Sequence, residues 1–250
     1  MFTVVGQAQI PAPVAQTWLY LTRPSLIAKW FADADRFAPG EPFRLEFGDG
    51  DFFAGAVEQW QEPVRLCLRW RLMGIGPQFE ISYILTPLPG EATELSVIDA
   101  GALSLEEVES LREGWTDFLG RLATFAATGE SSRYSWSETI GFGAILKNFE
   151  DDGWPAEMND DGWWNSIFVG AGLEIKEHSN SSLAINFSDQ AWGDARTEAL
   201  LKNMRSDAGI YIGLAHEGWK RLPGDKQVAE RRRYAGLWLT ALQALEQRYG

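Results

Sequence analysis

A single cysteine, Cys67, excludes any disulfide within the chain and fits a reducing cytosol. Only two histidines occur, His178 and His216. Neither sits in an HxxxH or HExxH pattern, and Cys67 has no companion ligand nearby. A structural metal site needs roughly four such groups, so neither a metal nor a cofactor is expected. Basic residues are outnumbered, 22 against 35 acidic, giving a net charge of −13. A phosphate backbone is repelled by that balance, which argues against nucleic acid as a partner. No apolar run approaches the roughly 20 residues that span a bilayer. The start, MFTVVGQAQI, lacks the basic segment and apolar stretch of a secretory signal. A cytoplasmic protein is expected. Phosphate cradles and nucleophile elbows are missing too: Gly141-Phe142-Gly143 and Gly170-Ala171-Gly172 lack a third glycine, and neither GxxxxGK[ST] nor GxSxG occurs.

What the chain has in plenty is tryptophan, twelve residues spread along its whole length. Large amphipathic rings fill cores, line apolar pockets and anchor interfaces. Residues 2–10 alternate weakly and read as a strand. Pro13 opens a short helix carrying Val14, Trp18 and Leu21, and Pro24 opens a second carrying Leu26, Ile27, Trp30 and Phe31. Five segments of period two follow. Phe43, Leu45 and Phe47 share a face, then the turn Gly48-Asp49-Gly50-Asp51 leads into residues 52–60. Leu66, Leu68, Trp70 and Leu72 share the next face, then Phe79, Ile81, Tyr83 and Leu85, then Thr93, Leu95, Val97 and Asp99. One apolar face per strand predicts an antiparallel sheet covered on one side. The cover is a helix ending near Thr128. Ser104 and Glu107 form its capping box, and Leu105, Val108, Leu111, Trp115, Phe118, Leu119, Leu122 and Phe125 form a stripe of period 3.6.

Residues 129–135, GESSRYS, read as a linker. Beyond them, Ser135 and Glu138 predict a second capping box and a helix through about Phe149. The acidic stretch 150–162 reads as a solvated loop, since its spacing does not match a calcium loop. Residues 166–176 and 182–188 read as strands flanking a turn at His178–Ser181. Three helices are expected at about 193–206, 207–221 and 227–249. Glu113-Gly114-Trp115 reappears as Glu217-Gly218-Trp219, but three residues are weak support for a tandem duplication, and the second half reads with too few strands for a full copy. The basic run Arg231-Arg232-Arg233 is expected to neutralise the acidic loop or to dock on an acidic partner.

The first half resembles the activator of heat-shock-protein-90 ATPase homologue family, within the START-like (SRPBCC), helix-grip superfamily. The matching residues are Ile10-Pro11-Ala12-Pro13, Val14 and Trp18, then Leu21-Thr22-Arg23-Pro24 and Ala28-Lys29-Trp30-Phe31. Gly55 with Val57 and Glu58, Arg65-Leu66 leading to Trp70, and Glu113-Gly114-Trp115 with Phe118, Leu119 and Leu122 complete the pattern. The resemblance covers residues 1–128 and implies an α+β fold: a curved antiparallel sheet gripping a long C-terminal helix, two small helices plugging one end, and a cavity between helix and sheet. A second, smaller α+β region is expected over 129–250.

Function then follows from the cavity. Its expected lining is Phe47, Leu68, Trp70, Phe79, Ile81 and Tyr83 from the strands, Asp99 from the last strand, and Trp115, Phe118 and Leu122 from the helix. Tyr83 and Asp99 are the polar handles. The leading expectation is binding of an apolar small molecule, or a stress- or chaperone-accessory role. The enzyme alternative is a cyclase- or hydratase-like activity with Asp99 or Tyr83 as acid or base, although no catalytic residue stands out. The third alternative is an interaction module whose C-terminal half meets a chaperone or a homodimer mate through Trp163 and Trp164.

Overall fold

The computed structural model describes residues 2–102, 105–150 and 153–250, with 105–107 by backbone alone. The chain divides into two units. One holds Met1–Phe47 and Phe52–Ser135, the other Gly48–Asp51 and Trp136–Gly250.

In the first unit, strand β1 (Phe2–Ile10) is followed by helices α1 (Val14–Thr22) and α2 (Pro24–Trp30). Pro24 stands at the first helical position, where its missing N–H costs nothing. Six strands follow: β2 (Asp33–Ala34), β3 (Pro42–Glu46), β4 (Phe52–Gln61), β5 (Arg65–Leu72), β6 (Phe79–Leu88) and β7 (Ala92–Ala102). Helix α3 (Leu105–Thr128) closes the unit. The capping box expected at Ser104 and Glu107 lies outside the described residues. All pairings are antiparallel, in the order β1-β7-β6-β5-β4-β3-β2. Two features bend this sheet. The β4–β5 register shifts between Val57 and Gln59, and such a bulge kinks and twists its strand. A side chain at Gly55 would lie 2.0 Å from the Arg69 carbonyl, so only glycine lets the two strands approach there. The inner face, with Leu68, Trp70, Ile81, Tyr83, Leu95 and Val97, shares one core with Trp115, Leu119, Leu122 and Phe125 of α3. That is the helix-grip arrangement the first half implies.

In the second unit, strand β8 (Ile140–Leu146) leads through a single 3-10 turn (Ala156–Asn159) to α4 (Asp161–Ile167). Strands β9 (Gly172–His178), β10 (Ser182–Ser188), β11 (Thr197–Ser206) and β12 (Gly209–Glu217) follow, then helix α5 (Gln227–Tyr249). This region is α+β, but its elements differ from the sequence reading. The helix expected through Phe149 is β8, and those expected at 193–206 and 207–221 are β11 and β12. Sheet pairing decides these segments: β12 bonds β11 along its whole length on one side and β8 on the other. Helix-favouring Glu198, Ala199, Leu200 and Leu201 are overridden by that tertiary context.

The five strands run in the order β8-β12-β11-β10-β9. In both units the first strand pairs with the last, the intervening strands follow in descending order, short helical elements come directly after the first strand, and a long helix ends the unit. The second unit is thus a reduced helix-grip fold with two fewer strands at one edge. The repeated Glu-Gly-Trp triplet does not mark this correspondence. Trp115 lies within α3, whereas Trp219 opens a short 3-10 turn before α5.

Candidate functional site

Strand parity places the expected lining residues on the inner face of the first sheet. Ile81 stands opposite Asp99 and Tyr83 opposite Val97, so the two polar side chains are diagonal neighbours on β6 and β7. Leu68 pairs with Ile81, and Trp70 with Phe79. All seven are buried, as are Trp115 and Leu122, while Phe47 and Phe118 are half-buried.

These side chains leave little empty space. The cavity among them has a volume of about 10 Å³, room for about one water. Of the expected lining, Leu68, Trp70 and Tyr83 border it. Phe47, Phe79, Ile81, Asp99, Trp115, Phe118 and Leu122 do not border it. Its remaining wall comes from Leu21, Ile27, Trp30, Phe31, Phe37 and Leu45. The two short helices thus line the cavity as well as plugging one end. Their helical spacing of Leu21, Ile27, Trp30 and Phe31 carried the signal for this.

Rings fill the volume that a ligand would take. Trp70 lies nearly parallel to Phe53, with centroids 4.5 Å apart, and to Trp115 at 6.3 Å and 8°. Phe31 continues the set, within 25° of both Trp70 and Trp30 and 14° of Phe53. Its edge meets Phe118 at 4.7 Å and Phe47 at 5.4 Å.

The two polar handles are in different states. Asp99 is engaged: its Oδ2 accepts from the Trp115 indole N–H at 2.7 Å. Tyr83 borders the cavity at 4% exposure and makes no hydrogen bond among the described residues. Burial, and secondarily the Asp99 charge, holds its phenol far above the usual range. Tyr83 is therefore a neutral hydroxyl at physiological pH, able to donate one hydrogen bond and accept another.

In the second unit His216 and Arg231 are tied up internally, whereas the buried Trp192 Nε1 and Tyr234 hydroxyl have no hydrogen-bond partner among the described residues. His216 is fully buried, accepts from the Trp238 indole N–H at Nδ1 (2.8 Å), and faces the Thr197 hydroxyl with Nε2 (2.8 Å). Since Nδ1 accepts, the proton sits on Nε2 and is donated to Thr197. Burial first, and the nearby Arg231 charge second, push its pKa well below the usual histidine value. Arg231 is also fully buried. It makes a bidentate pair with Asp51 at 2.8 and 2.6 Å and donates to the carbonyls of Asp49, Ser137 and Thr139. The acidic loop is therefore not its partner. Arg233 instead pairs with Glu230 and Asp189, and Arg232 bonds the Gly48 carbonyl. Trp164 is not the exposed anchor the interaction alternative needs. It is 3% exposed, with its indole N–H on the Met158 carbonyl, and only Trp163 is part-exposed. His178 ends β9 and is exposed.

Among the described residues, no cluster of three or more His, Cys, Asp or Glu side chains is placed to hold a metal ion. None of the described helices is long and apolar enough to cross a membrane.

Residues 11–127 match the model of the family described as "Activator of Hsp90 ATPase homolog 1-like protein". No curated protein matches the chain. Among solved structures, DynU16, from the dynemicin biosynthetic locus, is 26% identical with a TM-score of 0.87 over 99% of both chains. MLL2253 from Mesorhizobium loti is 26% identical over 50% of this chain and 97% of its own, with a TM-score of 0.47. CalU16 from Micromonospora echinospora is 23% identical over 51% of this chain and 77% of its own, with a TM-score of 0.44. The first half of the chain is thus a START-like domain with the pattern of the Activator of Hsp90 ATPase homolog 1-like family, as its motifs imply, and the chain is similar to DynU16 along nearly its whole length.

Proposed function

We propose that the first unit binds a small, flat, largely apolar molecule between α3 and the sheet, and does so without chemistry. The observation that carries this is the cavity beside Tyr83: a buried tyrosine that makes no side-chain hydrogen bond among the described residues, set in a wall of otherwise apolar and aromatic side chains. Binding sites of this kind are apolar with a few polar groups that fix orientation. Tyr83 is such a group, and Trp70, Phe31 and Trp115 offer ring faces on which a flat ligand stacks.

The ligand enters by displacing rings rather than by filling an open void. Phe31 is the gate, because its neighbours Phe47, Phe53 and Phe118 are half-buried and can let its ring swing outward. Catalysis is disfavoured because Oδ2 of the Asp99 carboxylate is already held by Trp115 and Tyr83 stays protonated. The likeness to DynU16 along nearly the whole chain favours a ligand that belongs to a biosynthetic pathway over a chaperone client or a homodimer mate. The lone thiol of Cys67 fits a cytoplasmic setting.

Native mass spectrometry of the freshly purified chain tests the reading. The expected result is a retained small-molecule mass, lost from Leu68→Trp, whose larger ring fills the cavity. Bare chain in both proteins counts against it.

A further inference from the structure

The reduced strand number of the second unit has a chemical consequence. In the first unit the sheet continues past β4 into β3 and β2, whereas in the second it stops at β9. Beside that edge, one face passes from fully buried Ile185 on β10 to half-buried Leu173 and exposed Ile175 on β9. The result is an open cleft of about 370 Å³, lined by Asp161, Trp164, Asn165, Leu173, Ile175 and Ile185.

The edge itself is poorly suited to taking another strand. The β9–β10 register shifts between Ala184 and Ile185, which leaves Lys176 as an extra residue, and Glu174, Lys176 and Glu177 are all exposed. Bulges and edge charges of this kind block strand addition. A small molecule in the cleft is the better fit, and its volume lies within the ordinary range for ligand sites.

The cleft's polarity points to one charge sign. Asp161 and Asn165 lie four residues apart on one face of α4. Neither has a hydrogen bond or ion pair through its side chain among the described residues. The nearest cation on β9, Lys176, is tied to Glu174 at 2.7 Å. No basic side chain lines the cleft, and the Trp164 indole N–H is spent on Met158, so that residue offers only its ring. A net charge of −13 also concentrates cations at the surface.

We propose that this cleft binds a small organic cation: an ammonium group held by the Asp161 carboxylate and the Asn165 carbonyl, with its apolar body against Leu173, Ile175 and Ile185. The site lies in the second unit and is independent of the cavity proposed for the first.

Titration of the isotope-labelled full chain with 2-phenylethylamine, followed by amide shifts, tests this. The account predicts shifts confined to α4, β9 and β10, including the Asn165 side-chain amide, and binding about fivefold tighter than that of neutral 2-phenylethanol, the scale of one partly exposed ion pair. Asp161→Asn removes the preference for the amine, and Ile175→Lys, at a site 43% exposed and tolerant of change, abolishes binding of both probes. Equal affinity for amine and alcohol, an unchanged preference in Asp161→Asn, shifts elsewhere on the chain, or no shifts at all would each overturn the proposal.

Discussion

The indole N–H of Trp115 donates to the Asp99 carboxylate at 2.7 Å, joining the long helix of the first unit to its last strand. The second unit repeats the device with a different acceptor, the Trp238 indole on His216 Nδ1 at 2.8 Å. Each acceptor lies near the end of the strand that pairs with the unit's first strand. Trp238, not Trp219, is therefore the counterpart of Trp115. Trp115→Phe keeps an aromatic ring, though a smaller one, and removes the donor, so the buried Asp99 carboxylate loses that hydrogen bond. A loss of about 2 kcal/mol is expected, read from the urea midpoint. A variant as stable as the parent would remove the bond from the account of the grip.

His216 makes stability depend on pH. It is buried and neutral when folded, with its pKa well below the ordinary value of 6.5. The unfolded chain takes up a proton there as pH falls through about 6.5, and the folded chain does not. Stability from this group is therefore fully present above that pH and is lost as pH falls from there toward the folded value, at up to about 1.4 kcal/mol per unit. Urea unfolding between pH 7.5 and 5 should show this slope in the wild type and a slope lower by about one proton in His216→Gln.

Arg231 concerns the second unit alone. Its guanidinium satisfies Asp51 and three carbonyls with no exposure to solvent. Arg231→Met removes one partner of a buried pair and strands the other charge, a change that costs about 3–5 kcal/mol. Adding Asp51→Asn to that variant should recover part of the loss, because the stranded charge is then gone. Thermal unfolding of the single and double variants checks both statements.

Much of the first unit is legible from its residues. The alternations Phe43-Leu45-Phe47, Leu66-Leu68-Trp70 and Phe79-Ile81-Tyr83 place the strands and their inner faces, and the stripe from Val108 to Phe125 places the covering helix. The inward direction of Asp99 also follows from parity. Its bond to Trp115 does not, because the partner lies on another element. The second unit is harder to read. Residues 197–206 are rich in helix formers and become a strand only because β10 and β12 pair with them. Residues 209–217 do carry a strand signal in the alternation of Ile210, Ile212 and Leu214, and His216 continues that buried face. The ring-filled state of the cavity was beyond the reach of pattern. Parity tells which side chains face inward, whereas close packing decides whether any space remains.

The central claim is that rings close a ligand site and that Phe31 is its gate. Titration of the wild type, Phe31→Ala and Leu68→Trp with 2-naphthol, followed by tryptophan fluorescence, tests it most directly. The account predicts measurable binding to the wild type, binding at least about tenfold tighter to Phe31→Ala, where the site no longer has to be opened, and none to Leu68→Trp. Equal affinity across the three proteins would contradict it.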